Sequence, residues 1–276
     1  MEPLPITYIT DVESKKRQEW FDKYKLPVLN DLRLRQEKEV EEKRLDFTDI
    51  KTAIDFFNPL IKNLKKEDGV RVYFASPAND GTVNKGKCGK LTLILVVTIG
   101  VDKKEELPYY KFENGTFVPI DLVDAENGVH NYQLIKRDYL FKTLSHQDRL
   151  DGCKETKHIW FSLEQMTQTV KEMEYQNKNH SSIVKGFGIC FTSYTNQDYI
   201  FLGSKSPVFK RRERLTICFT FIGANGDIGI EDIDPVEFAQ RLNITRDKGL
   251  SDTFDTGIPA PPPSGDDNRG ALDIQM

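Results

Sequence analysis

Gly69-Val-Arg-Val-Tyr-Phe-Ala-Ser76 and Gly186-Phe-Gly-Ile-Cys-Phe-Thr-Ser193 both open on glycine and close on serine. Side chains alternate across a strand, so Val70, Val72 and Phe74 share one face, as do Phe187, Ile189 and Phe191. Each stretch follows a helix-period run that starts at a Phe-hydroxyl pair, Phe47-Thr48 in one case and Phe161-Ser162 in the other. Each is followed by a loop and an apolar return, Lys90-Leu-Thr-Leu-Ile-Leu95 and Arg214-Leu-Thr-Ile-Cys-Phe219. Matching pieces in a fixed order are the signature of internal duplication. The offset grows from 114 at Phe47/Phe161 to 117 at Gly69/Gly186 and 124 at Leu91/Leu215. The drift falls in connecting segments, where insertions are tolerated. The competing reading is chance likeness between two glycine-bounded hairpin units.

Working outward, Ile50, Ala53, Ile54, Phe57, Leu60, Ile61 and Leu64 form a 3.6-residue stripe that must be buried. In the second copy Leu163, Met166, Val170 and Met173 form a narrower stripe, and Ser162 with Gln165 fits a capping box. The runs Leu91–Ile99 and Leu215–Ile222 are apolar on both faces, as expected of covered central strands. Asn114-Gly115 and Asn225-Gly226 mark tight hairpins. Asp234-Pro235 starts a last helix, with the acid as cap and proline in the first helical position.

These pieces predict an α+β fold. Two helix–strand–loop–strand units pack their helices on one pseudo-symmetric, largely antiparallel sheet. One copy alone would bury too little apolar surface to fold. The expected boundaries are a charged helical segment over 1–46, a first copy over 47–130, a polar connector over 131–159, a second copy over 160–250 and a tail over 251–276. Residues 12–46 read as two charged helices broken at Pro27, since proline cannot continue the hydrogen-bond ladder. The connector reads as part strand, at Tyr132–Ile135 and Tyr139–Leu144. In the tail, Ile258–Ser264 is polyproline-like and the rest is polar, so disorder is expected there.

Charge excludes some partners. The net charge is −4. The tail alone holds five acids and one base, which leaves the body neutral. A neutral body argues against wholesale attraction to nucleic acid or membrane, while a local patch stays open. No apolar run approaches the ~18 residues of a membrane span. The N-terminus shows no basic region followed by an apolar stretch, so no signal peptide is expected. Four cysteines in 276 residues do not make a disulfide scaffold. Cys190 and Cys218 lie in strands and read as small buried hydrophobes. The expected compartment is the cytoplasm.

Motifs that carry chemistry are scarce. No phosphate-binding glycine loop, dinucleotide fingerprint, nucleophile elbow or zincin motif is present. His146, Cys153 and His158 fit no zinc spacing, so neither a metal nor a cofactor is expected. The strongest local feature is basic. Lys205, Lys210, Arg211, Arg212 and Arg214 share the loop of the second copy with Tyr194, Tyr199, Phe201 and Phe209. Lys85 and Lys87 lie in the matching loop of the first copy. Arginines interleaved with aromatics suit phosphates and stacked bases, though a solvated loop explains the same residues. Trp20, Phe21 and Tyr24 on the first helix, and Pro261, Pro262 and Pro263 in the tail, are candidate contacts for a protein partner.

The pieces Gly69-Val-Arg-Val-Tyr-Phe74 and Lys90-Leu-Thr-Leu-Ile-Leu-Val96 resemble a group of uncharacterised Bacteroidetes proteins. Those carry a G-[IV]-R-[IV]-Y-F strand, an L-T-L-I return strand and a proline-rich end. Phe254-Asp-Thr-Gly257 followed by Pro259 and Pro261–Pro263 is similar, but the cysteines expected beside the prolines are absent. The resemblance spans about a third of the chain through short motifs. It implies a bacterial source and brings no function and no site residues. Three functions stay open: a non-enzymatic interaction or scaffold module, a polyanion binder acting through 204–214, and an enzyme with a site between the copies.

Overall fold

The computed structural model describes residues 9, 11–36, 39–77, 89–144, 155–195, 199–200, 209–210 and 214–247. Helices α1 (Asp11–Trp20) and α2 (Leu26–Gln36) are joined by a π-helical turn at Phe21–Lys25. Then come β1 (Arg44–Asp46), α3 (Ile50–Ile61), β2 (Gly69–Ala75), β3 (Thr92–Ile99), β4 (Lys104–Glu113) and β5 (Thr116–Ile120). Helices α4 (Leu122–Asn131) and α5 (Asp138–Leu144) flank a second π-turn at Tyr132–Arg137. The chain continues through β6 (His158–Ser162), α6 (Leu163–Asn179), β7 (Gly186–Ser193), the short β8 (Tyr199–Ile200) and β9 (Phe209–Lys210), then β10 (Leu215–Gly223) and β11 (Gly226–Ile228). It ends with α7 (Ile230–Ile233) and α8 (Pro235–Asp247). The protein is α+β with helices on antiparallel sheets.

The strands do not form one shared layer. The order β1-β7-β10-β11 makes one sheet and β5-β4-β3-β2-β6 another, with β8-β9 a separate ladder. Each sheet begins with a strand from the other half of the chain. β1 pairs antiparallel with β7, and β6 pairs antiparallel with β2. β1 and β6, each lying shortly before a core helix in the chain, thus pair with the sheet built by the other half.

Local chemistry sets these elements. Asp49 caps α3: its carboxylate accepts from the Thr52 amide at 2.6 Å. Ser162 and Gln165 form the expected capping box on α6. Asn114 and Gly115 both take positive φ, 51° and 78°, as the tight β4–β5 hairpin requires. Asp234 caps α8 through the Val236 and Glu237 amides.

Three further sequence expectations are corrected. Pro27 does not end the first helix. At the π-turn the Leu26 amide reaches back to the Phe21 carbonyl, and the wider turn absorbs the hydrogen bond that proline cannot make. Helix also ends earlier than expected, because 39–43 are irregular and Arg44–Asp46 is strand. The supposed strands at Tyr132–Ile135 and Tyr139–Leu144 are helical. Ala125, Val129, Tyr132, Lys136 and Leu140 are buried at helical spacing, one turn after another.

The main core lies between the sheets. Val70, Val72 and Phe74 face Phe187, Ile189 and Phe191 across it, with Phe57 of α3 and Met166, Val170 and Met173 of α6 filling it. Burying each such side chain contributes roughly 1.5–3 kcal/mol. The outer face of the five-stranded sheet is covered by α4, where Ala125 and Val129 meet Tyr73, Ile94 and Val96. Helix α1 packs on β7 on the outer side of the four-stranded sheet. Covering on both faces explains why β3 and β10 read as apolar throughout.

Candidate functional site

Lys25 and Lys136 each end or nearly end a π-turn, on the buried side. Lys25 pairs with Glu155, and Lys136 with Glu41. In both pairs the carboxylate also accepts a backbone amide at the head of a return strand: Glu155 takes Leu215 at 2.8 Å and Glu41 takes Leu91 at 2.7 Å. Each lysine thus comes from one half of the chain and anchors the glutamate of the other. Aromatic contacts repeat the pattern, with Phe21 against Phe191 at 6.5 Å and Tyr132 against Phe74 at 5.5 Å between ring centroids. Phe74 and Phe191 themselves lie 6.3 Å apart where the halves meet.

Those two phenylalanines sit near the ends of β2 and β7, so both long connections leave the body at the same end. Their necks are built alike. Ser76 Oγ donates to the Gly89 carbonyl at 2.6 Å, and Ser193 Oγ to the Arg214 carbonyl at 3.2 Å. Of the basic residues singled out above, Lys210 lies on β9 and Arg214 at the second neck. Lys85, Lys87, Lys205, Arg211 and Arg212 lie outside the described residues, as do Pro261, Pro262 and Pro263 with the whole tail. Phe21 is 1 % exposed and belongs to the core, which removes it from the candidate partner contacts. Trp20 and Tyr24 are half-buried, their rings 4.5 Å apart.

A second feature lies on the outer face of the four-stranded sheet. Register places Arg44 opposite Cys190 and Asp46 opposite Gly188. In the other sheet the equivalent pairs are His158 opposite Tyr73 and Trp160 opposite Arg71. Where β2 carries a guanidinium and a phenol, β7 carries a hydrogen and a thiol. The Arg71 and Tyr73 side chains fill their site by bonding Glu105, which also takes the Tyr109 hydroxyl at 2.8 Å. Over Gly188 lie the side chains of Arg44 and Asp46, and beside Cys190 there is an open cleft of about 400 Å³. Its charged lining is Asp22, Glu42, Lys43, Arg44, Asp46 and Asp227.

Arg44 is the hub of that cleft. Its guanidinium grips Asp46 through two nitrogens and Asp227 through the third. The hydrogen bond to Asp46 and the two nearby carboxylates raise its pKa, so it stays charged. Asp227 Oδ2 faces the Cys190 thiol at 3.7 Å, a weak donor. Burial, with the Asp227 charge, pushes that thiol well above its ordinary value, so Cys190 is no nucleophile at neutral pH. No local motif marks this cleft, because its residues come from four separated stretches. Its one legible trace is the size difference between Gly188-Ile-Cys190 and Arg71-Val-Tyr73 once the copies are aligned.

His158 stands on β6, and His146 and Cys153 lie outside the described residues. Among the described residues, no group of three or more His, Cys, Asp or Glu side chains is placed to hold a metal. No helix there is long and apolar enough to cross a membrane. No family model, curated protein or solved structure matches the chain.

Proposed function

We propose that the protein is a non-enzymatic interaction module whose recognition surface is the end of the body bearing both long connections. The observation behind this reading is the 6.3 Å approach of Phe74 and Phe191, which brings the two serine-clamped necks to one side. A rigid body with paired connections at one end is a common way to present binding loops. Two free, buried thiols fit a reducing compartment such as the cytoplasm. The test replaces residues 78–88 and 196–213 by short Gly/Ser links in the full chain. Partner capture should be lost while the melting temperature holds. Capture that survives with the fold intact would sink the proposal.

The same geometry favours a second reading, in which the basic connections hold a polyanion. Lys85 and Lys87 on one side and Lys205, Lys210, Arg211, Arg212 and Arg214 on the other would then act together. Replacing Lys210, Arg211, Arg212 and Arg214 by Ala should abolish retention on single-stranded nucleic acid, and that retention should fall steeply with salt. A full chain that ignores both DNA and RNA at low salt would remove this reading.

A further inference from the structure

We propose that Cys190 and Cys218 are a reversible disulfide pair, a redox latch across β7 and β10 that α1 guards. Register sets the two residues directly opposite each other, so both thiols point to the same outer face of the four-stranded sheet. They form a small cluster of their own there, with Ile9 packed against it. Cα atoms of directly opposed residues lie about 4.5–5.5 Å apart. A disulfide accepts about 4.4–6.8 Å, so the strands can be joined where they stand. The Cβ atoms of such a pair start at about 4.5–5.5 Å, and a disulfide draws them to about 3.8 Å. The bond is therefore strained, which marks it as labile rather than structural. Packing alone does not call for two thiols. Counted inward from Ser76 and Ser193, the matching pair in the five-stranded sheet is Tyr73 opposite Ile94.

The two thiols have different surroundings, which gives them different parts in the exchange. Cys190 lines the open cleft, so it is the sulfur an incoming reagent meets. Ser14 and Arg17 of α1 lie against Cys218, which is 2 % exposed. In the closed protein burial holds both thiols in the neutral form, and the pair is inert. Helix α1 is the element that opens. Among its described side chains only Arg17 is buried, and Val12 is 62 % exposed. A helix held by so little apolar burial lifts at low cost compared with global unfolding. Once water reaches the sheet, the thiols return towards the ordinary value of about 8.5 and ionise. The oxidant is a small disulfide such as oxidised glutathione. The Cys190 thiolate attacks one of its sulfurs, forming a mixed disulfide and releasing one glutathione thiolate. The Cys218 thiolate then attacks the Cys190 sulfur, forming the cross-strand bond and releasing the second. The two thiol protons end on the two glutathiones released. The loop so closed, 190–218, contains the whole second connection, and the bond ties its base.

The full chain is incubated at pH 8 with oxidised glutathione and mapped by peptide mass. A Cys190–Cys218 link is expected, and excess reduced glutathione should remove it. Cys218→Ala should halt the reaction at a glutathione adduct on Cys190. Lys16 is exposed on α1, so Lys16→Pro breaks the helix without removing a packed side chain. It should speed linking about tenfold or more. Where that variant does not melt cooperatively, Lys16→Gly takes its place, with a gain of a few fold. The proposal is overturned by no link, by a link only to Cys88 or Cys153, or by a link that survives excess reduced glutathione. It is overturned equally by a Cys218→Ala chain without the adduct, or by a rate indifferent to loosening α1. None of these outcomes depends on what the connections recognise.

Discussion

Lys25 and Glu155, 130 residues apart in the chain, form an ion pair whose side chains are 1 % and 0 % exposed. Lys136 and Glu41 repeat it from the other half, both at 0 %. A buried pair is costly to break because the survivor is left charged without a partner. Lys25→Met should therefore destabilise the protein by ~3–5 kcal/mol in urea unfolding at pH 7. The double variant Lys25→Met/Glu155→Gln should recover part of the loss, since the amide oxygen still accepts from the Leu215 backbone. A single-variant cost below ~1 kcal/mol would contradict the pair's burial.

Truncation separates this fold from one with a detachable N-terminal arm. Phe21, Leu29, Leu32 and Leu45 are buried, and β1 is an edge of the four-stranded sheet. A chain starting at residue 47 loses that edge and the helix over β7, and exposes Phe191. It should show no cooperative melting transition and should aggregate. A sharp transition near that of the full chain would mean that residues 1–46 are an appendage after all.

The hairpins, both core helices and the Ser162–Gln165 capping box were legible because each is local. Alternation, a 3.6-residue stripe, an Asn-Gly turn or a Ser-x-x-Gln cap lies within a few neighbouring residues. The exchange of β1 and β6 was not, since Arg44–Asp46 is three residues long and its pairing with β7 is decided by tertiary packing. The helices around Tyr132 and across Pro27 were hidden for a related reason. Lys25 and Lys136 sit in the buried stripe, so each stripe reads as interrupted by charge until its glutamate partner, over 90 residues away, is known. The candidate cleft was invisible because its lining comes from four stretches far apart in the chain.

Cys190 and Cys218 lie directly opposite each other on β7 and β10, at 4 % and 2 % exposure. Burial raises the pKa of both thiols, and the neutral form is the stable one. Native protein at pH 8 should therefore leave both unmodified by iodoacetamide on a timescale that labels them fully in denaturant, as read by peptide mass mapping. Rapid native labelling of Cys190 would mean that the cleft opens to its floor.

Asp49 and Ser162 cap the two core helices by different chemistry, and pH distinguishes them. The Thr52 amide and hydroxyl hold the Asp49 carboxylate below its ordinary value, so the charged form is favoured by folding. That contribution is complete above about pH 4, the ordinary carboxylate value, and is lost as pH falls through the depressed folded value. Asp49→Ala should cost about 1 kcal/mol at pH 7, with the charge-dependent share reduced because the group is exposed to solvent. The cost should shrink steadily below about pH 4. Ser162→Ala should cost a similar ~1 kcal/mol that does not change over the same range, because a hydroxyl carries no charge to lose. Urea unfolding of both variants and the parent at pH 7, 5 and 3 reads the difference directly. Parallel costs at all three values would show that the Asp49 carboxylate is not the cap.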